Sequence, residues 1–193
     1  MTEPSPEQPQ DQNAPSIKAL RAAVREVEQH ASRSGWDRTP QLFALVDTAE
    51  LLQREPNLAE LLGVESVAAG ELTPVEQDPV DGDLEDLLAE ILWPPEVLGC
   101  AVVVERLALP PGEDGTVPTE TAAAAAEHVA AHPDREEIRI VAGVLRGGAA
   151  YCALRVRSHD EDSSVIVGDD LVPALLELLH ATLEPDAGDP DHE

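Results

Sequence analysis

The chain has 193 residues, 42% apolar but only 2% aromatic, and carries a formal charge of −27 from 12 basic and 39 acidic residues. That length holds one ordinary domain, with a core built from Leu, Val, Ile and Ala rather than from rings. Charge of this sign and size repels phosphate backbones and anionic headgroups, so direct nucleic-acid or membrane binding is disfavoured and basic partners are favoured.

Residues 1–14 are rich in Pro, Gln, Glu and Asp with almost nothing apolar, and residues 185–193 read the same way. Both are expected to be disordered tails flanking one α+β domain over 15–184, because neither buries enough surface to offset ordering entropy. The N-terminus lacks a cationic segment followed by an apolar run, and no stretch of about 18 apolar residues occurs, so a cytoplasmic protein is the expectation.

Ser16 reads as the N-cap of a helix with Ile17, Leu20, Val24, Val27 and Ala31 on one stripe, stopped at Ser34-Gly35. The run 41–46 reads as a strand, 48–54 and 57–62 as short helical pieces broken by Pro56, and 72–77 as an edge strand because of Pro74. Asp83 caps a helix expected to reach about Leu92, and the valine-rich run 98–109 reads as a central strand. After the loop PPGEDGTVP, a helix is expected over about 119–131, ended by His132-Pro133.

The clearest local signal is a hairpin over 137–158, two strand-like runs separated by Gly147-Gly148, the pattern of a two-residue primed turn. Ala150, Cys152, Leu154 and Val156 share one face of its second strand, and Tyr151, Ala153, Arg155 and Arg157 the other, which predicts a half-buried strand. A short run at 165–167 and a helix over 171–183 complete the chain. The fold predicted is α+β, a mainly antiparallel sheet of about four or five strands covered by helices.

No phosphate loop, nucleophile elbow or metal framework is present. The turn His159-Asp160-Glu161-Asp162 offers four adjacent metal-ligand types, but neighbours in one turn rarely converge on an ion and a solvated turn is the expectation. Cys100 and Cys152 sit in apolar runs, the setting of inert buried thiols. His128 and His132 have helical ligand spacing without an evident third ligand. With so many acids, paired carboxylates carry no information. No cofactor, metal or catalytic residue is assigned.

The arginines are more informative, because beyond Arg54 every cation lies on or beside the proposed sheet. A symmetric hairpin puts Arg139 near Val156, next to Arg155 and Arg157, a small cationic spot. Two readings stand: cross-strand pairing with Glu137 and other acids, or a spot receiving an acidic peptide or anionic group. The acids concentrate elsewhere. Residues 55–96 hold twelve of them and no lysine or arginine, a belt of −12 where a basic partner should be sought.

The stretches Gly35-Trp36, Phe43-Ala44-Leu45-Val46-Asp47-Thr48-Ala49-Glu50-Leu51, Tyr151-Cys152-Ala153-Leu154-Arg155, and the run from Trp93-Pro94-Pro95 to Arg106-Leu107 resemble a family of small acidic actinobacterial cytosolic proteins of unknown function. The resemblance spans about residues 16–184 and transfers no site residues. Three classes of function remain. The first is a non-enzymatic binding, adaptor or chaperone-like protein whose partner is basic or offers an apolar segment. The others are an acidic nucleic-acid mimic that binds a basic protein, and an enzyme without a recognisable motif.

Overall fold

The computed structural model describes residues 15–55, 68–79, 82–109 and 121–184. Its first helix, α1 (Ile17–Ser34), begins where Ser16 Oγ accepts from the Ala19 amide, and it buries Leu20, Ala23, Val24, Val27 and Ala31. Gly35 ends it with a positive φ of 80°, a value that glycine adopts freely. Then follow β1 (Gln41–Asp47), α2 (Thr48–Arg54), β2 (Leu72–Glu76), α3 (Leu84–Glu90) and β3 (Val97–Ala108). The rest is α4 (Ala122–Ala131), β4 (Glu136–Leu145), β5 (Ala150–Val156), β6 (Ile166–Gly168) and α5 (Pro173–Leu183).

Among the described residues the strands form one six-stranded sheet in the order β2-β1-β3-β4-β5-β6. Every pairing is antiparallel. The α+β class and the antiparallel sheet agree with the sequence reading; the strand count rises to six. As Pro74 requires, β2 is an edge. The helical piece expected at 57–62 and the two tails lie outside the described residues.

Helices cover both faces of the sheet. On one, α1 packs on Phe43, Leu45, Ala101, Val103, Val141, Tyr151 and Ala153. It approaches closely at Gly143, where a Cβ would come within 2.6 Å of a Val24 methyl. On the other, α3 and α5 bring Leu84, Leu88, Leu176, Leu179 and Leu183 onto Leu42, Ala44, Cys100, Val102, Ala142, Val144 and Cys152. The expectation of a half-buried β5 is therefore corrected: Tyr151, Cys152 and Ala153 are all buried, because a helix lies on each side.

Local boundaries differ for identifiable reasons. Helix α3 ends at Glu90 rather than Leu92, since Ile91 is already extended and the Trp93 amide donates to Thr182 O on the C-terminal helix. Thr121 Oγ accepts from the Ala124 amide, which sets the start of α4 at Ala122. Pro173 opens α5, its missing N–H costing nothing in the first turn.

The hairpin register also shifts by one residue. Only Gly148 of the glycine pair has positive φ, 84°. Gly148 N donates to Leu145 O and Leu145 N to Ala149 O. The connection is thus a three-residue loop with glycine in the left-handed position, not the two-residue primed turn the sequence suggested. Arg139 consequently faces Arg155 instead of Val156.

Candidate functional site

The three arginines singled out by sequence do gather. Arg139 and Arg155 are opposed on β4 and β5 on the α1 side of the sheet, and Arg157 follows just beyond β5. Arg139 and Arg155 are each only 1% exposed, among the largest fully buried side chains of the protein. Charges so placed need matched partners. Arg155 Nε and Nη2 donate to the two Glu28 oxygens at 2.6 and 3.1 Å, Nη2 donates to Asp162 at 2.8 Å, and Nη1 donates to Asp160 O at 2.8 Å. These partners hold the Arg155 pKa above its ordinary value, the Glu28 hydrogen bond foremost.

Arg139 donates to Glu105 through Nε at 3.2 Å and Nη2 at 2.9 Å, and to Gly35 O. Its Nη1 is buried without an acceptor. The guanidinium lies 4.2 Å from the Trp36 ring centroid, a contact that offsets part of that loss. Arg157 sits 5.5 Å from the same ring, donates to both Asp37 oxygens at 2.9 Å, and donates to Glu137. Its hydrogen bond holds the exposed Asp37 carboxyl below the usual range. Trp36 Nε1 in turn donates to Asp160 at 3.1 Å, and Glu105 accepts from the Asp37 and Arg38 amides.

Three guanidinium groups thus meet six carboxylates, Glu28, Asp37, Glu105, Glu137, Asp160 and Asp162. The arrangement ties α1, the segment after it, β3, β4, β5 and the 160–162 turn into one clamp. Sequence reasoning named the cations and Glu137 but missed Glu28, Glu105 and Trp36. Glu28 carried a readable signal: it falls four residues after Val24 on the buried stripe of α1, where an acid requires a partner. Asp160 and Asp162 of the 159–162 turn are spent on Arg155 and Trp36, while Glu161 accepts from Ser164.

Arg146 forms a second latch. Its guanidinium donates to Val97 O, Trp93 O and Pro94 O at 2.8 Å each, and to Leu183 O. One side chain thereby fixes the end of α5 to the turn leading into β3. Nearby Cys100 is buried against Thr182 and Leu179 O, and burial pushes its thiol up to about 11. Cys152 is buried too, and its thiol is likewise raised by desolvation.

Two concavities bear on binding. The broader one, about 490 Å³, is an open depression among Pro133, Arg135, Glu136, Glu137, Arg157 and Ser158. Its Arg157 is already held by Asp37 and Glu137. The other, about 380 Å³, lies between the starts of α3 and α5 above the sheet. Val104, Ile140, Val172, Leu175 and Leu178 line it, and the Glu85–Arg106 ion pair, 2.9 Å long, stands at its rim. Asp83, Glu85, Asp86 and Glu90 are all exposed at or along α3, and of these Glu85 lines the groove. The acidic belt read from sequence is therefore divided, with α3 on the face opposite α1 and Glu71 and Glu76 at the β2 edge.

Among the described residues no helix is long and apolar enough to cross a membrane, and no three His, Cys, Asp or Glu side chains converge as metal ligands. No curated protein and no solved structure matches the chain. A family model does match, over residues 20–184, which takes in the whole sheet and the helices that form both the clamp and the groove. The chain belongs to the PPA1309-like protein family.

Proposed function

We propose that the protein is a non-enzymatic binding protein, adaptor or chaperone-like in character, that receives a basic amphipathic helix of another polypeptide in the groove between α3 and α5. The observation that carries this reading is an apolar floor bordered by a helix, α3, whose exposed side chains are acidic. Val104, Ile140, Val172, Leu175 and Leu178 offer a hollow large enough for one or two aliphatic anchors. Glu85 of α3 lines it beside Arg106, and Asp86 and Glu90 are exposed on the same helix. Helix-in-groove recognition uses that combination, apolar anchors for affinity and flanking charge for orientation and on-rate.

The arginine clamp supports the same assignment by elimination. Its guanidinium groups are outnumbered two to one by bound carboxylates, so it offers an incoming anion repulsion rather than attraction. Calorimetry with a synthetic Leu/Lys amphipathic helix tests the reading. Wild type binds it with affinity that falls steeply with salt. Leu178→Glu, at a half-buried position on the groove, weakens binding at least tenfold while the thermal midpoint shows the fold retained. Asp86→Asn with Glu90→Gln flattens the salt dependence. Equal binding by wild type and Leu178→Glu would refute the proposal.

A further inference from the structure

The turn that follows β5 places a hydroxyl, an imidazole and a carboxylate together. The His159 amide donates to Val156 O at 3.0 Å, which pins the turn and leaves Ser158 and His159 exposed. Within it, Ser158 Oγ lies 2.9 Å from His159 Nδ1. Its other neighbour is Glu136 at the start of β4, whose Oε1 is 3.3 Å away. A hydroxyl has one proton to give, and of these two acceptors the imidazole is the nearer. When His159 carries its own proton on Nε2, Nδ1 accepts from the hydroxyl, which is the relation of a nucleophile to its general base. When Nδ1 carries that proton, the imidazole donates to Oγ and the hydroxyl turns to Glu136.

The surroundings admit a small molecule to that hydroxyl. Ser158 lines the open depression of about 490 Å³ together with Pro133, Arg135, Glu136, Glu137 and Arg157. Two cations and two acids balance on this wall, so an uncharged compound suits it better than an ion. Arg135 and Arg157 also bring positive charge to the side on which an attacked carbonyl oxygen gains negative charge. Ser163, exposed in the next turn, has no imidazole hydrogen-bonded to it among the described residues and serves as an internal reference.

We propose that Ser158 is a nucleophilic modification site, acylated by small uncharged activated acyl donors, esters or thioesters, with His159 as its general base. Ser158 Oγ attacks the acyl carbon while its proton passes to His159 Nδ1. The bond from the acyl carbon to the leaving oxygen or sulfur breaks, and the imidazolium returns the proton to that atom. The products are an ester on Ser158 and a free alcohol or thiol. Each acylation is a single event on the protein and requires no turnover, so the binding reading stands beside it. The depression and the α3–α5 groove share no lining residue, and each site stands or falls independently.

The test is timed incubation of the full chain with p-nitrophenyl acetate, followed by peptide mass spectrometry to locate the acetyl group. A positioned general base contributes about a hundredfold at the low end of its range. In this exposed turn Ser158 is expected to be acetylated at least about tenfold faster than Ser163. His159→Ala lowers the Ser158 rate at least about tenfold, to that of Ser163, whereas Glu136→Gln leaves it unchanged or raises it, because the hydroxyl then has one acceptor. All three positions are exposed, and circular dichroism checks that each variant keeps the fold. Leu178→Glu leaves the labelling intact, and Ser158→Ala leaves binding of the Leu/Lys helix intact. The proposal is overturned by any of four results. These are labelling of Ser158 no faster than Ser163, an unaltered rate in His159→Ala, a rate that depends on Glu136 instead, or stable acetylation of His159 or Lys18 with Ser158 unmodified.

Discussion

Glu28→Ala probes the buried end of the arginine clamp. The substitution removes both carboxylate oxygens that hold Arg155, at 2.6 and 3.1 Å, where the two side chains are 1% and 6% exposed. Breaking a buried ion pair from one side costs about 3–5 kcal/mol, because the remaining charge stays desolvated. Arg155 keeps Asp162 and the Asp160 carbonyl, which places the cost near the lower bound, about 3 kcal/mol. For a domain of this size that lowers the thermal midpoint by about 6–12 °C. Asp162→Asn is the matched control: its side chain is 88% exposed, so the same guanidinium loses a solvated partner worth at most about 1 kcal/mol. Urea unfolding of the three proteins with a common m-value reads the difference directly. A Glu28→Ala loss below about 1 kcal/mol, equal to that of the control, would refute the claim that the clamp carries buried, compensated charge.

Arg146→Ala should cost about 3 kcal/mol, since up to four backbone carbonyls lose a charged donor together. Hydrogen exchange should accelerate first at the end of α5, and Arg146→Lys should fail to restore protection because one ammonium cannot span the same acceptors. Both thiols should be inert to Ellman's reagent at pH 8 in the native protein and react fully in denaturant. The raised Cys100 thiol, at about 11, leaves almost no thiolate at that pH.

Much of this fold is written locally. The stripe of α1, the caps at Ser16 and Asp83, the edge character of β2 and the hairpin each follow from a few neighbouring residues. The hairpin register did not follow, because Gly147-Gly148 is compatible with a two-residue turn and with the three-residue loop in which only Gly148 turns left-handed. That one-residue difference decides whether Arg139 faces Val156 or Arg155. The cations of the clamp were visible as a group because they lie close in sequence, on β4 and β5. Their main neutralising partners were not, since Glu28 sits 127 residues from Arg155 and Glu105 34 from Arg139. The groove was illegible for the same reason: α3, β3, β4 and α5 all contribute to its lining, and no single element is unusual in sequence.

The proposed binding of a basic helix lies on the α3–α5 side of the sheet, away from the arginine clamp. Amide chemical-shift mapping with the Leu/Lys helix tests this most directly. It predicts perturbations centred on Val104, Ile140, Leu175 and Leu178 and along α3, with Arg139, Arg155 and Arg157 unmoved. Shifts centred on the three arginines, or none at saturating peptide, would contradict it.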